Sequence, residues 1–268
     1  MDDHKHITGE QPTEFPTVGP RRWISVYTGN APASVLVTSL WLAPATLYAV
    51  RAILAVWTTV WLVITLFFSG FDGWHVLSYF TILSYIGIFL YSLLVCGLSA
   101  QYWRDPQSQI LAEKTGQHVT AVVLYTTALV NCIVVSGVYW YMLAPLGPLE
   151  PASTLLGLDN YVIHVANICV MVVHFATSAI TVPSVALVLP VLVEGALYVA
   201  WAQVYFAITG YWVYPFLSPD YPDSGMMYAA VFVASAALTL LWRVLHVVRG
   251  WALGGPAFRS HRIGVDQS

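Results

Sequence analysis

The stretch VTAVVLYTTALVNCIVVSGVYWYML, residues 119–143, runs for 25 residues without a charged side chain. About 20 helical residues are enough to cross the roughly 30 Å hydrocarbon layer of a bilayer. Water cannot satisfy backbone amides and carbonyls in that layer, so an open chain crosses it as an α-helix. The stretch therefore predicts a transmembrane helix and sets the fold class that the rest of the chain has to match.

Five further apolar runs are long enough to cross a membrane. They cover residues 47–68, 77–100, 161–181, 184–209 and 227–248. Of the 268 residues, 58% are hydrophobic and only 9% are charged, whereas soluble domains carry about 25% charged residues. We therefore expect an all-α polytopic membrane protein with six transmembrane helices.

The remaining sequence divides around this transmembrane domain, which we place at residues 46–248. Residues 1–45 are predicted to form a polar cytosolic tail with a short interfacial segment at 31–45, and residues 249–268 a second cytosolic tail. The first 30 residues lack the apolar core of a cleavable signal peptide, so the first span is expected to act as an uncleaved anchor.

The distribution of basic residues predicts the orientation. With six spans, both termini and the second and fourth loops lie on one side of the membrane. The opposite loops carry acidic residues and no basic one, so the positive-inside rule places both termini in the cytosol. The cytosolic side would hold every Lys and Arg of the chain, namely Lys5, Arg21, Arg22, Arg51, Arg104, Lys114, Arg243, Arg249, Arg259 and Arg262.

Several protein classes are disfavoured by the residues present. A net charge of −3 gives no basic surface for nucleic acid. Three cysteines inside apolar runs form neither a disulfide framework nor zinc-ligand spacing. The deep histidines do not have the spacing of a diheme bundle, and there are no His boxes, no G-x-S-x-G motif and no internal repeat typical of a transporter. We expect no nucleic-acid partner, metal or cofactor.

Ionisable side chains within the spans are the main functional candidates, because they are costly in lipid. They are His164 and His174 in the fourth span and Glu194 in the fifth. Counting helical rise places His174 and Glu194 near mid-bilayer on neighbouring helices, which predicts a buried pair of either structural or catalytic role. His75, His118 and His246 are at span ends, where an interfacial location explains them.

Helix direction and depth predict one pocket in the non-cytosolic leaflet. Thr81 in the second span lies about 6 Å below that surface, and His164 lies at nearly the same depth. The cluster AITGYWVYPFLSP, residues 207–219, closes the fifth span on the same side and contributes Trp212 and Tyr214.

The neighbours of Thr81 and His164 suggest how this pocket is built. Tyr85 lies on the Thr81 face of the second span, which we expect to point inward together with Ser84 and Ser92. Asn160 and Asn167 lie at i−4 and i+3 from His164, so either side chain could fix its tautomer.

Three segments carry a family resemblance. TGYWVYPFL (209–217), SYFTILSYIGIF (78–89) and NYVIH (160–164) resemble, in the same order, segments of the androgen-induced-gene and androgen-dependent TFPI-regulating family. This is a eukaryotic family of six-span membrane proteins, some of which are threonine hydrolases of fatty acid esters of hydroxy fatty acids. PASVLVTSLWLAP (32–44) is more similar to fungal members.

The resemblance implies an intramembrane ester hydrolase with Thr81 as nucleophile and His164 as base, acting on a lipid in the endoplasmic reticulum, another endomembrane or the plasma membrane. The chain departs from the family at His174, where members carry a Glu ten residues after the catalytic His. Two alternatives stay open: a proton-donating membrane enzyme of fungal lipid or terpenoid metabolism, and a non-catalytic membrane regulatory protein.

Overall fold

The computed structural model describes residues 26–28, 33–68, 73–106, 116–144, 154–180 and 183–253. All regular structure in these ranges is helical, and six helices are long and apolar enough to cross a membrane. This confirms the predicted all-α, multi-pass membrane protein. The spans are α1 (Pro44–Phe68), α2 (Phe80–Arg104), α3 (Gly116–Leu143), α4 (Leu158–Thr177), α5 (Val185–Thr209) and α6 (Ser224–Ala252).

The boundaries differ from the prediction most at α2, α4 and α6, by three or four residues at each end; α4 covers Leu158–Thr177 instead of 161–181. The short 3₁₀ helix Gly73–Ser78 precedes α2, so the span begins at Phe80 instead of residue 77. Helix α6 continues to Ala252, and Arg249 in its last turn is only 9% exposed. The transmembrane domain therefore extends past the predicted end at 248. Most of both predicted tails, residues 1–25 and 254–268, lies outside the described residues.

Helix α3 forms the centre of the bundle. It packs against α2, α4, α5 and α6. In its most apolar 18-residue stretch, 72% of the residues are buried, compared with 17% in the corresponding stretch of α5. The outer helices expose large apolar side chains such as Ile53 and Leu197, as expected of surfaces that contact lipid.

The segment before α1, which was predicted to be interfacial, packs against the helix bundle over the part that the structure describes. A 3₁₀ helix, Ala33–Leu36, buries Leu36, and the amide of Ala179 donates a 2.9 Å hydrogen bond to the Thr38 carbonyl. Trp41 Nε1 donates to the Ala176 carbonyl at 2.9 Å. The segment packs against the bundle because its apolar side chains are buried there and its backbone forms hydrogen bonds with neighbouring residues.

At the opposite end, a sharp turn folds the aromatic cluster back over the helices. Helix α5 ends at Gly210, whose φ of 75° lies in the left-handed region that favours glycine. The chain then forms the 3₁₀ helix Pro215–Leu217, and Tyr214 and Phe216 are buried. This turn brings Tyr214 to the first turn of α2 and positions the candidate site.

Candidate active site

Thr81 lies in the first turn of α2 and is 8% exposed. Its Oγ1 is 3.5 Å from His164 Nε2 and 3.5 Å from the Tyr214 hydroxyl. These are long hydrogen bonds, but catalytic hydrogen bonds often tighten only when substrate binds. The structure thus brings together the three elements that the depth argument placed in one leaflet.

A π-helical turn within α4 carries His164. The turn spans Val162–Ala166, and the Ser136 hydroxyl donates to the His164 carbonyl. His164 Nδ1 lies 2.9 Å from the carbonyl oxygen of Asn160. A carbonyl only accepts hydrogen bonds, so Nδ1 carries the proton and Nε2 of the neutral ring presents its lone pair to Thr81.

Tyr139 braces the imidazole from the side. Its ring stacks on His164 with 3.8 Å between centroids and 24° between planes. The side-chain amide of Asn160 donates to the Tyr139 hydroxyl at 2.5 Å. Asn160 therefore orients His164 in two ways: its backbone carbonyl fixes the tautomer and its side chain holds the stacked ring. Only the first resembles the predicted role, and it uses the backbone instead of the side chain.

The side chain of Asn167 does not fix the His164 tautomer. Asn167 Nδ2 donates to the Ile163 carbonyl at 2.8 Å, one helical turn back on the same helix. Tyr85 is 1% exposed on the inward face of α2, in agreement with the predicted face, and the charge of Asp159 acts on its phenol. Asp159 in turn accepts a 2.5 Å hydrogen bond from Thr65.

The aromatic cluster divides into two parts. Tyr214 is 7% exposed, and burial raises the pKa of its phenol. At neutral pH it therefore keeps its proton and can donate a hydrogen bond next to Thr81. Trp212 instead stacks on Phe206, with ring centroids 4.3 Å apart, and holds the segment against α5.

A cavity opens beside Thr81 and extends between α3, α5 and α6. Its wall includes Thr81, Tyr139 and Tyr214 at one end, Asn131 and Ser235 at the other, and apolar side chains between them. Asn131 and Val138 both line the cavity and are about 10 Å apart along the axis of α3. Among the described residues, Tyr85, Trp212 and His164 are not part of this wall, so His164 reaches the cavity only through Thr81.

His174 and Glu194 do not form the predicted pair. His174 Nε2 lies 3.1 Å from the Ser92 hydroxyl, and its ring is 4.9 Å from that of Tyr91. Glu194 Oε1 accepts a 3.0 Å hydrogen bond from Asn131 on α3. The two residues face different neighbours, because sequence position predicts depth more readily than direction around a helix.

Sequence reasoning missed other polar groups of the bundle. The Asn131–Glu194 bond near the far end of the cavity was not anticipated, although an Asn within an apolar span is itself a signal. His118 and His246, which were assigned to span ends, are buried between helices, with 2% and 1% exposure. No group of three or more His, Cys, Asp or Glu side chains that could hold a metal occurs in the described ranges.

Comparison of the chain with protein-family models, curated proteins and solved structures found no match in any of the three.

Proposed function

We propose that this protein is an intramembrane hydrolase of lipid carboxylic esters, with Thr81 as nucleophile and His164 as general base. The observation that carries the proposal is the 3.5 Å distance between Thr81 Oγ1 and His164 Nε2. The other nitrogen of the imidazole, Nδ1, is hydrogen-bonded to the Asn160 carbonyl. A threonine hydroxyl is a weak nucleophile and needs a base within hydrogen-bond reach. A buried Thr–His contact at the edge of a largely apolar cavity provides that arrangement.

The reaction runs in two stages. His164 Nε2 removes the Thr81 proton as Oγ1 attacks the ester carbonyl carbon, and the resulting imidazolium then protonates the departing alkoxide. The acyl group is now bonded to Thr81. A water molecule, deprotonated by the same nitrogen, attacks the acyl carbon and releases the carboxylic acid and free Thr81. Each proton taken by His164 is returned, so the enzyme is regenerated.

Tyr214 is the candidate donor for the developing oxyanion. Its hydroxyl lies 3.5 Å from Thr81 Oγ1, and its raised pKa keeps it protonated. A neutral donor in a site shielded from water stabilises negative charge on the tetrahedral intermediate more strongly than water does.

The substrate class follows from the position of the cavity. Apolar side chains line most of it, and Thr81 lies in the first turn of a membrane span. An ester whose chains remain in the bilayer fits this arrangement. The three segments that resemble the androgen-induced-gene and androgen-dependent TFPI-regulating family favour a fatty acid ester of a hydroxy fatty acid, and the 32–44 segment favours a fungal member.

The orientation belongs to the same proposal. All basic residues lie on the side of the termini, so both termini face the cytosol and Thr81 works in the opposite leaflet, in an endomembrane or the plasma membrane. An epitope tag at either end should be accessible after selective permeabilisation of the plasma membrane. Tags that are accessible only from the non-cytosolic side would reverse the assignment.

Ester hydrolysis by matched variants tests the chemistry. We expect purified wild type in lipid nanodiscs to hydrolyse branched fatty acid esters and to be labelled at Thr81 by a fluorophosphonate probe. Thr81→Ser keeps a hydroxyl and should keep measurable activity and labelling, whereas Thr81→Ala should lose both. His164→Ala should reduce the rate by about 10²–10⁴-fold.

Thermal stability distinguishes this proposal from a non-catalytic protein. His164 also connects α4 to α3 through its contacts with Tyr139 and Ser136. If its role were purely structural, His164→Ala would lower the melting temperature. Equal ester turnover in wild type and Thr81→Ala, with unfolding of His164→Ala at much lower temperature, would favour a regulatory or scaffolding role.

A further inference from the structure

Two arginines are buried at the end of the bundle opposite Thr81. Arg51 in α1 is 0% exposed and Arg249 in α6 is 9% exposed. Arg51 Nη1 donates to the Leu36 carbonyl at 2.6 Å and to the Ser99 hydroxyl at 2.5 Å. Arg249 donates to the carbonyls of Phe175 and Ile180. A guanidinium keeps its proton in proteins, so two positive charges lie inside the bundle.

One edge of the Arg51 guanidinium is free. Nε and Nη2 are buried and have no hydrogen-bond partner among the described residues. These two nitrogens form the edge that binds two oxygens of a carboxylate or phosphate at once. Arg249 Nε is also buried without a partner.

Three neutral rings, those of Tyr91, Tyr125 and His174, are within electrostatic reach of the arginines. The charges of both arginines act on the phenols of Tyr91 and Tyr125, and the charge of Arg51 also acts on His174. The ring of Tyr91 lies 5.3 Å from that of Tyr125 and 4.9 Å from that of His174. The Tyr91 hydroxyl and His174 Nδ1 are buried and have no hydrogen-bond partner in the described ranges, and either group can donate to an oxygen.

Within the part of the chain that the structure describes, neither arginine has a carboxylate partner. Buried charges in proteins are paired, because an isolated ion loses its hydration without compensation. The carbonyls, the Ser99 hydroxyl and the Phe175 ring, which lies 4.7 Å from the Arg249 guanidinium carbon, contact these charges but supply no opposite charge. The cluster therefore has the composition of an anion-binding site.

We infer that the side chains of Arg51, Arg249 and Tyr91 bind the phosphate group of a phosphate monoester. Such a group carries a charge of about −1.5 to −2 and several acceptor oxygens, which matches two guanidiniums and additional neutral donors. The edge of Arg51 supplies the bidentate contact. This inference is independent of the proposed ester hydrolysis.

The position favours a lipid as the source of the phosphate, with free phosphate as the other source of the same chemistry. Arg51 is the eighth residue of α1, about 10 Å from its start along the helix axis. Arg104, in the last turn of α2, lies toward the same end of the bundle. Basic pockets between transmembrane helices at the cytosolic side are typical sites for phosphate head groups.

Binding to the full chain tests the inference. We expect phosphatidic acid, titrated into phosphatidylcholine nanodiscs, to raise the melting temperature of the wild type saturably. Arg51→Lys keeps the charge but removes the bidentate edge, and should weaken binding about 10–100-fold. Arg243→Lys is the matched control, because Arg243 donates to the Pro183 carbonyl at the same end and should leave affinity unchanged.

Inorganic phosphate in a parallel titration identifies the source. Stabilisation by phosphatidic acid alone assigns the site to a lipid head group, and equal stabilisation by inorganic phosphate assigns it to the free anion. If Arg51→Lys does not fold, Tyr91→Phe replaces it and should also weaken binding. No stabilisation of wild type by either probe overturns the inference, as does equal weakening by Arg51→Lys and Arg243→Lys, which would indicate nonspecific surface charge.

Discussion

The imidazole of His164 lies flat against the phenol ring of Tyr139, with 3.8 Å between centroids. Both residues belong to π-helical segments: Val162–Ala166 in α4 and Tyr139–Leu143 at the end of α3. π-helical turns change the direction in which side chains project and occur often at functional sites. Here they turn one ring from each helix toward the other, so the His164 ring plane is fixed by stacking as well as by its bond to Asn160.

Removing the stacked ring should therefore impair catalysis more than removing its hydroxyl. Tyr139→Phe keeps the stack and loses only the bond from Asn160, so we expect a small change in kcat. Tyr139→Leu frees the imidazole, and a misplacement of about 1 Å can cost about 10²-fold in rate. Tyr141→Leu, at an exposed position two residues further along the chain, is the control. Steady-state ester hydrolysis measures all three, and equal rates for Tyr139→Leu and Tyr139→Phe would refute the positioning role.

Tyr214→Phe tests the oxyanion donor. Loss of one such donor typically costs about 10²–10³-fold in kcat, with little change in KM. A rise in KM with unchanged kcat would instead assign Tyr214 to substrate binding.

The pH profile gives a second test of Tyr214. Burial raises the pKa of this phenol above its ordinary value, which is about 10. The donor form is therefore present at every pH below that range, and kcat should show no alkaline decline from Tyr214 up to about pH 9. A decline below that pH in wild type that is absent in Tyr214→Phe would contradict a protonated donor.

The fold and the meeting of Thr81 with His164 could be predicted because both follow from length and depth. Apolar run length fixes the number of spans, and helix direction with 1.5 Å rise per residue places Thr81, His164 and Tyr214 at one level. Their catalytic roles stay predictions. The π-helical turns could not be read from sequence, because tertiary contacts such as the Ser136 bond to the His164 carbonyl stabilise them.

Direction around a helix axis was harder to predict than depth. His174 and Glu194 were predicted at one level, which suggested a pair, but they face Ser92 and Asn131. His246 was expected at the membrane surface because it is near a predicted span end. It is buried because α6 continues beyond it and its Nε2 accepts a 2.8 Å hydrogen bond from Tyr125.

The Asn131–Glu194 bond should stabilise the packing of α3 on α5. Asn131→Leu leaves the Glu194 carboxyl without its donor, and an unsatisfied buried polar group costs about 1–3 kcal/mol in the free energy of unfolding. Glu194→Gln keeps an acceptor for Asn131 and should change stability much less. Unfolding in mixed micelles would measure both variants. A Glu194→Gln protein as unstable as Asn131→Leu would mean that the carboxylate charge, not the hydrogen bond, matters.

The turn at Gly210 offers a test of how the aromatic cluster is positioned. Its φ of 75° is unfavourable for any residue with a Cβ, although a Cβ there would meet no atom within 4 Å. Gly210→Ala should therefore destabilise the fold by about 1–2 kcal/mol through backbone strain alone. It should also reduce kcat, because the turn sets the position of Tyr214 beside Thr81.

Gly97→Ala is the matched control: Gly97 is also exposed and free of contacts within 4 Å, but it is helical, so alanine should be neutral or stabilising. The melting temperature and kcat of the two variants, measured side by side, isolate the left-handed conformation as the cause. If Gly210→Ala matched Gly97→Ala in both, the turn would not be what holds Tyr214 in the site.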